Sequence, residues 1–242
     1  VITITHLHGD YDLEIVRDVP REYAMVVPDC QGAVVLDVGA HIGCFSALAL
    51  NAGATEVYAI EPAGPSFELA VLNLAPAIEE DRCEVMHAGI TADPAEPTIT
   101  LRYFADGKSM AAAKTMGTIG AKNRPDDWQG RPYRYEDVST VNFARMLQVI
   151  APTVVKLDCE GLEYDCIDSL DRMPNFVRTL VVEWHKTSSE QGIQSYLRCT
   201  DKLAQWGFVG HKTPNLVVYR HTGTREPVGA NQFYIRPIAY RR

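Results

Sequence analysis

The chain has 242 residues, 46% hydrophobic and 22% charged. That suits one large domain with a real core and excludes a disordered or low-complexity chain. Lys and Arg number 23 against 31 Asp and Glu, a formal net charge of −8, so nucleic acid is not expected as a partner.

In chain order, residues 1–19 read as a small β-hairpin turning at His8-Gly9-Asp10, and residues 21–27 as a short helix. Residues 34–38, VVLDV, form a short continuous apolar run of the kind a strand buried on both faces shows. A helix over 43–51 follows, stopped by Gly53, then a strand over 56–60 and a helix over 65–74 with Pro65 in its first turn. Residues 83–87 and 98–104 read as strands. Residues 105–132, with four glycines, read as a long inserted loop, a candidate lid carrying Lys108, Ser109 and Lys114. Trp128, Tyr133 and Tyr135 are candidates for an acceptor pocket or for anchoring that loop. A helix over 141–150, a strand over 154–158, a helix over 164–170, a strand over 180–184 and a helix over 191–206 follow. Residues 208–213 and 216–221 flank Pro214-Asn215 as a hairpin, and 232–236 is strand-like.

Strands alternating with amphipathic stretches predict an α/β fold, a parallel sheet covered by helices. The expected organisation is one domain over 1–242: an N-terminal extension over 1–30, a core over 31–221, the insert over 105–132 and a tail over 222–242. No run of about 18 apolar residues occurs, so no membrane helix is expected. Residues 1–10 lack a signal-peptide pattern. The six cysteines, Cys30, Cys44, Cys83, Cys159, Cys166 and Cys199, make no Cys-x-x-Cys pair. They read as reduced, mostly buried thiols of a cytoplasmic protein. His6 and His8, beside Asp10 and Asp12, read as a solvated surface rather than a metal site. No feature of the sequence sets an oligomeric state.

The first core strand runs directly into Gly39-Ala40-His41-Ile42-Gly43 and a helix. Gly39 permits a sharp turn and close ligand approach, and Gly43 allows close packing of the helix. Glu61 ends the next strand, where an acid can accept both hydroxyls of a ribose. A dinucleotide usually needs Gly-x-Gly-x-x-Gly, whereas this loop is Gly-x-x-x-Gly and Asp37 would repel a phosphate. An acid there suits a cofactor with a cationic amino group, and S-adenosylmethionine fits, its ammonium near Asp37 or the Gly39 carbonyl. Pro62 and Ser66, and Ala88 and Gly89 at the adenine end, complete the expected cofactor contacts with Asp158.

VVLDVGAHIGCFS, VYAIEP, VVKLDCEGLEYDCI and LVVEWH, in that order within about residues 34–208, resemble the motifs of FkbM-type methyltransferases, a branch of the class I S-adenosylmethionine enzymes. His41 stands where that family usually has Asn. The resemblance implies a Rossmann-like domain with a seven-strand, mostly parallel sheet and helices on both faces, here with the N-terminal hairpin and the inserted loop added. It implies sugars or secondary metabolites such as polyketides as acceptors. The N-terminal segment and the residues after 216 lie outside it.

Methyl transfer needs an acceptor lone pair aligned behind the methyl, and a hydroxyl acceptor also needs a base. Asp158 and Glu183 end adjacent core strands beside Gly39, with Glu160 and Glu163 after the first and His185 after the second. Three readings stand. His185 is a general base oriented by Asp158 or Glu183, with Glu160 nearby. Asp158 and Glu183 hold Mg²⁺. Or the groups are structural, Glu163 capping a helix and Glu183 pairing Lys156. The expected function is O-methylation of a small-molecule hydroxyl. N-methylation, a non-catalytic S-adenosylmethionine-binding protein and a nicotinamide dehydrogenase are the alternatives.

Overall fold

The computed structural model describes residues 1–7, 9–104, 114–116, 127–128, 130–185 and 190–223. Residues 1–7 form neither helix nor strand. Asn51 brackets Ile2 with two hydrogen bonds, and Asn73 accepts from the amides of Thr5 and His6. Helix α1 (Asp10–Glu22) and the short α2 (Val27–Cys30) follow. The N-terminal β-hairpin is therefore corrected to a strap and a helix. Ile15, Val19 and Tyr23 recur every four residues and face the core. Pro20 sits inside the helix and disguises it in the sequence.

The scaffold then alternates as expected: β1 (Val34–Val38), α3 (Cys44–Asn51), β2 (Glu56–Glu61), α4 (Gly64–Glu79) and β3 (Cys83–His87). Two strands, β4 (Gly89–Thr91) and β5 (Thr98–Phe104), precede β6 (Lys114–Met116), β7 (Asp127–Trp128) and β8 (Arg131–Asn142). The second half is α5 (Phe143–Ile150), β9 (Val154–Leu157), α6 (Glu163–Asp168), β10 (Thr179–Glu183), α7 (Glu190–Gln205), β11 (Phe208–Lys212) and β12 (Leu216–His221).

The main sheet has seven strands in the order β11-β12-β10-β9-β1-β2-β3, parallel except for β12, which runs antiparallel to both β10 and β11. Alternation along each strand splits the core into two layers. Val35, Val57, Val181 and Val218 meet α1 to α4 on one face, and Leu36, Val155, Leu180 and Val182 meet α5 to α7 on the other. The chain leaves β1 toward β2 and β3, then returns on the far side through β9 and β10. The crevice between the carboxyl ends of β1 and β9 is thus the point where strand order reverses, the usual ligand position in such sheets.

A second sheet, β4-β8-β5-β6 with β7 paired to β8, was not expected. Within 105–132 the described residues are strands or flank them, so the reading of a structureless insert is corrected there. Lys114 pairs into β6 opposite Arg102. Lys108 and Ser109 lie outside the described residues. So do His8, the strand-like run 232–236 and nearly all of the tail. Residues 131–142 form one strand where helix was expected from 141. Asn142 ends it and caps α5, its side chain accepting from the Arg145 amide at 3.0 Å. All six cysteines are free. Among the described residues no helix is long and apolar enough to cross a membrane.

Candidate active site

A cavity of about 330 Å³ opens at the reversal point, within the usual size for small-molecule sites, about 300–1,000 Å³. Its floor begins at Gly39, whose φ of +79° and tight surroundings require glycine. A Cβ there would lie 1.8 Å from the Asp158 carbonyl oxygen, because β9 continues directly alongside. Gly43, at φ +88°, lets α3 sit against Leu74 of α4, so its role is packing between helices.

Glu61 lines the cavity and is only 6% exposed. Its carboxylate accepts the His41 amide at 2.7 Å and the Ala63 amide at 2.9 Å. Burial pushes its pKa up to about 7, against the two amides that favour the charged form. Glu61 therefore shapes the glycine loop as well as facing the cavity. His41, at φ +53°, places its ring 3.7 Å from the buried carboxylate of Asp12 on α1.

Gly39, Ala40, His41, Glu61, Pro62 and Asp158 of the expected cofactor set line the cavity. The others stand behind it. Asp37 is fully buried, and its carboxylate accepts from Ser46 Oγ at 2.7 Å and pairs with Lys156 Nζ at 3.1 Å. Lys156 also donates to the Gly39 carbonyl at 2.8 Å and lies 3.4 Å from Asp158. The groups assigned to a ligand's ammonium are thus already served by a lysine of the fold. Register explains this: Asp37 and Lys156 are direct partners on β1 and β9. Burial would lower the Lys156 pKa, but Asp37 and Asp158 outweigh it and hold the amine charged. Ser66 is buried without a hydrogen-bond partner for its hydroxyl. A Cβ on Gly89 would meet Ile99 at 2.2 Å, so β5 packs over Ala88 and Gly89. The cavity wall there is Ile90, Ile99 and Leu101, contributed by the second sheet. Tyr133 and Tyr135 stack edge-on on β8, away from the cavity lining.

Asp158, Glu160, Glu183 and His185 converge as expected. His185 Nε2 lies 3.9 Å from Glu160, 3.9 Å from Glu183 and 4.0 Å from Asp158. Its Nδ1 is 2.9 Å from Oε1 of Glu163. Glu163 is fully buried and the same oxygen accepts from the amides of Cys159 and Gly161. Glu163, and neither Asp158 nor Glu183, therefore orients the imidazole. Burial would raise the Glu163 carboxyl pKa, but His185 and the two amides hold it below the ordinary range. Burial would lower that of His185, yet Glu163, Glu160 and Asp158 raise it to about 9. Burial and the charge of Asp158 push Glu183 up to about 8.

At the two carboxylates of the Mg²⁺ reading, Lys156 stands 3.4 Å and His185 4.0 Å from Asp158, and His185 3.9 Å from Glu183. Among the described residues no group of three or more His, Cys, Asp or Glu is placed to hold a metal ion. In the structural reading Glu183 pairs with Lys156; Lys156 pairs with Asp37 and Asp158 instead.

Residues 37–209 match the family described as Methyltransferase FkbM domain. No curated protein matches the chain. Among solved structures, the chain is similar to methyltransferase FkbM from Methylobacillus flagellatus KT, at 17% identity over 78% of this chain and 43% of that one, TM-score 0.45. It is similar to magnesium protoporphyrin IX methyltransferase from Synechocystis PCC 6803, at 13% identity over 88% and 82%, TM-score 0.46. Precorrin-6y C5,15-methyltransferase from Geobacter metallireducens GS-15 matches at 13% identity over 81% and 84%, TM-score 0.42.

Proposed function

The chain belongs to the FkbM methyltransferase family and is an S-adenosylmethionine-dependent methyltransferase, and from that premise we propose that its acceptor is a hydroxyl of a small molecule, a sugar or a secondary metabolite such as a polyketide. When bound, S-adenosylmethionine supplies a methyl already activated on a sulfonium. The residues present suit it. Glu61 offers a buried carboxylate for ribose hydroxyls, Gly39, Ala40 and His41 bring backbone close to the ligand, and Ile90, Ile99 and Leu101 offer an apolar wall for a base.

The observation that carries the O-methyl reading is the His185–Glu163 pair. A hydroxyl must lose a proton as it attacks, and an imidazole locked at Nδ1 by a buried carboxylate presents Nε2 as the acceptor of that proton. Glu163 then stabilises the imidazolium formed. The surrounding carboxylates favour the proton on His185, so the competent fraction grows as pH rises toward about 9. Asp158 and Glu183 flank Nε2 and position the hydroxyl.

Transfer from S-adenosylmethionine to a panel of sugars and polyketide alcohols, with the methyl located by NMR, tests this. A methyl ether is expected, and an N-methylated product overturns the reading. Turnover is also expected to be unchanged by EDTA. Loss with EDTA and recovery with Mg²⁺ would restore Asp158 and Glu183 as ligands.

A further inference from the structure

Five residues outside the family-matched span 37–209 converge on the cavity: Ile15, Val19 and Glu22 from α1, Tyr23 at its C-terminal cap, and Asn215 from the turn before β12. α1 is amphipathic and docks its apolar stripe on the scaffold, Tyr23 packing on Phe45 with ring centroids 4.8 Å apart. That docking brings Glu22 to the cavity wall. Asn215 holds it there, its side-chain amide donating to Glu22 Oε1 at 2.6 Å.

Glu22 adds a carboxylate to a wall that already carries Glu183. Burial, the charge of Asp158 and the charge of Glu22 itself all keep a proton on Glu183 up to about 8. Among the described residues that line the cavity, Lys156 is committed to Asp37 and Asp158, His185 to Glu163, and His41 faces Asp12. The cofactor pocket does not account for Glu22, which lies on a helix before the family-matched span. A phosphorylated or carboxylated acceptor would be repelled by this wall. A protonated amine would pair with the Glu22 carboxylate, and the apolar surface of Ile15, Val19 and Tyr23 would cover the carbon skeleton beside it.

We propose that α1 forms the acceptor wall and that Glu22 selects an acceptor carrying a protonated amine beside the hydroxyl that is methylated, an amino sugar or comparable amino alcohol. This rests on the methyltransferase reading above. The ammonium is a handle for binding; being protonated, it has no lone pair with which to attack.

Calorimetry on the S-adenosylhomocysteine complex decides it, using amino alcohols and amino sugars each paired with its uncharged N-acetylated counterpart. At pH 7 the amines are expected to bind about fivefold tighter or more, and E22Q, which keeps an acceptor for Asn215, is expected to erase that difference. Equal binding within the pairs, binding of neither member, or a preference that survives in E22Q overturns the proposal. Failure of S-adenosylhomocysteine itself to bind overturns the reading beneath it instead.

Discussion

His185→Ala is expected to lower methyl transfer by roughly 10²–10⁴-fold, the range for losing a general base, while S-adenosylhomocysteine binding changes little. The imidazole faces three carboxylates at the acceptor end, remote in role from the Glu61 loop. The pH profile carries a second signature. A base works only when deprotonated, and Glu163, Glu160 and Asp158 lift His185 to about 9. kcat/KM should therefore climb with pH through neutrality and level off near 9. Glu163→Gln removes the charge that holds the proton on His185 but keeps a hydrogen-bonding side chain. It is expected to move the rise to lower pH while reducing the plateau. A His185→Ala enzyme with near-normal turnover, or a profile that levels near 8 where Glu183 titrates, would transfer the role to Glu183.

Glu61→Ala is expected to weaken S-adenosylhomocysteine binding by roughly 2–4 kcal/mol, the loss of two hydrogen bonds to a charged acceptor. The wild-type affinity should also depend on pH, with a definite sign. Burial places the Glu61 pKa near 7, and ligand hydroxyls donate better to the ionised form. Binding should strengthen as pH rises through about 7, plateau above it, and release up to one proton per ligand. Calorimetry in buffers of different ionisation heat reads both quantities. NAD, titrated in parallel, is expected not to bind, since the loop lacks the third glycine of a pyrophosphate cradle. Unchanged affinity in Glu61→Ala would leave Glu61 with only its loop-holding bonds to His41 and Ala63.

The sequence by itself determined the scaffold and the end of the sheet that does chemistry. VVLDV, VVKL and TLVVE are short runs with apolar side chains on both faces, a pattern that only a doubly covered parallel sheet buries. Their polar ends, Gly39, Glu61, Asp158 and Glu183, must then gather at one edge, because parallel strands share a direction. What tertiary structure alone decided were the pairings across the chain. Asp37 looked like a ligand group, but register on β1 and β9 sets it against Lys156, 119 positions on. Glu163 looked like a helix cap, but the turn after β9 folds it under His185, 22 positions on. Residues 1–19 looked like a hairpin because Ile2 and Ile4 alternate with Thr3 and Thr5. The longer stripe of Ile15, Val19 and Tyr23 won, because a helix there buries it on the scaffold and closes the cavity wall. In the second sheet β5 was legible as residues 98–104, and the other strands were hidden for the same reason. Periodicity reports which side of a segment is apolar, and only the fold supplies the surface or the charge that side will meet.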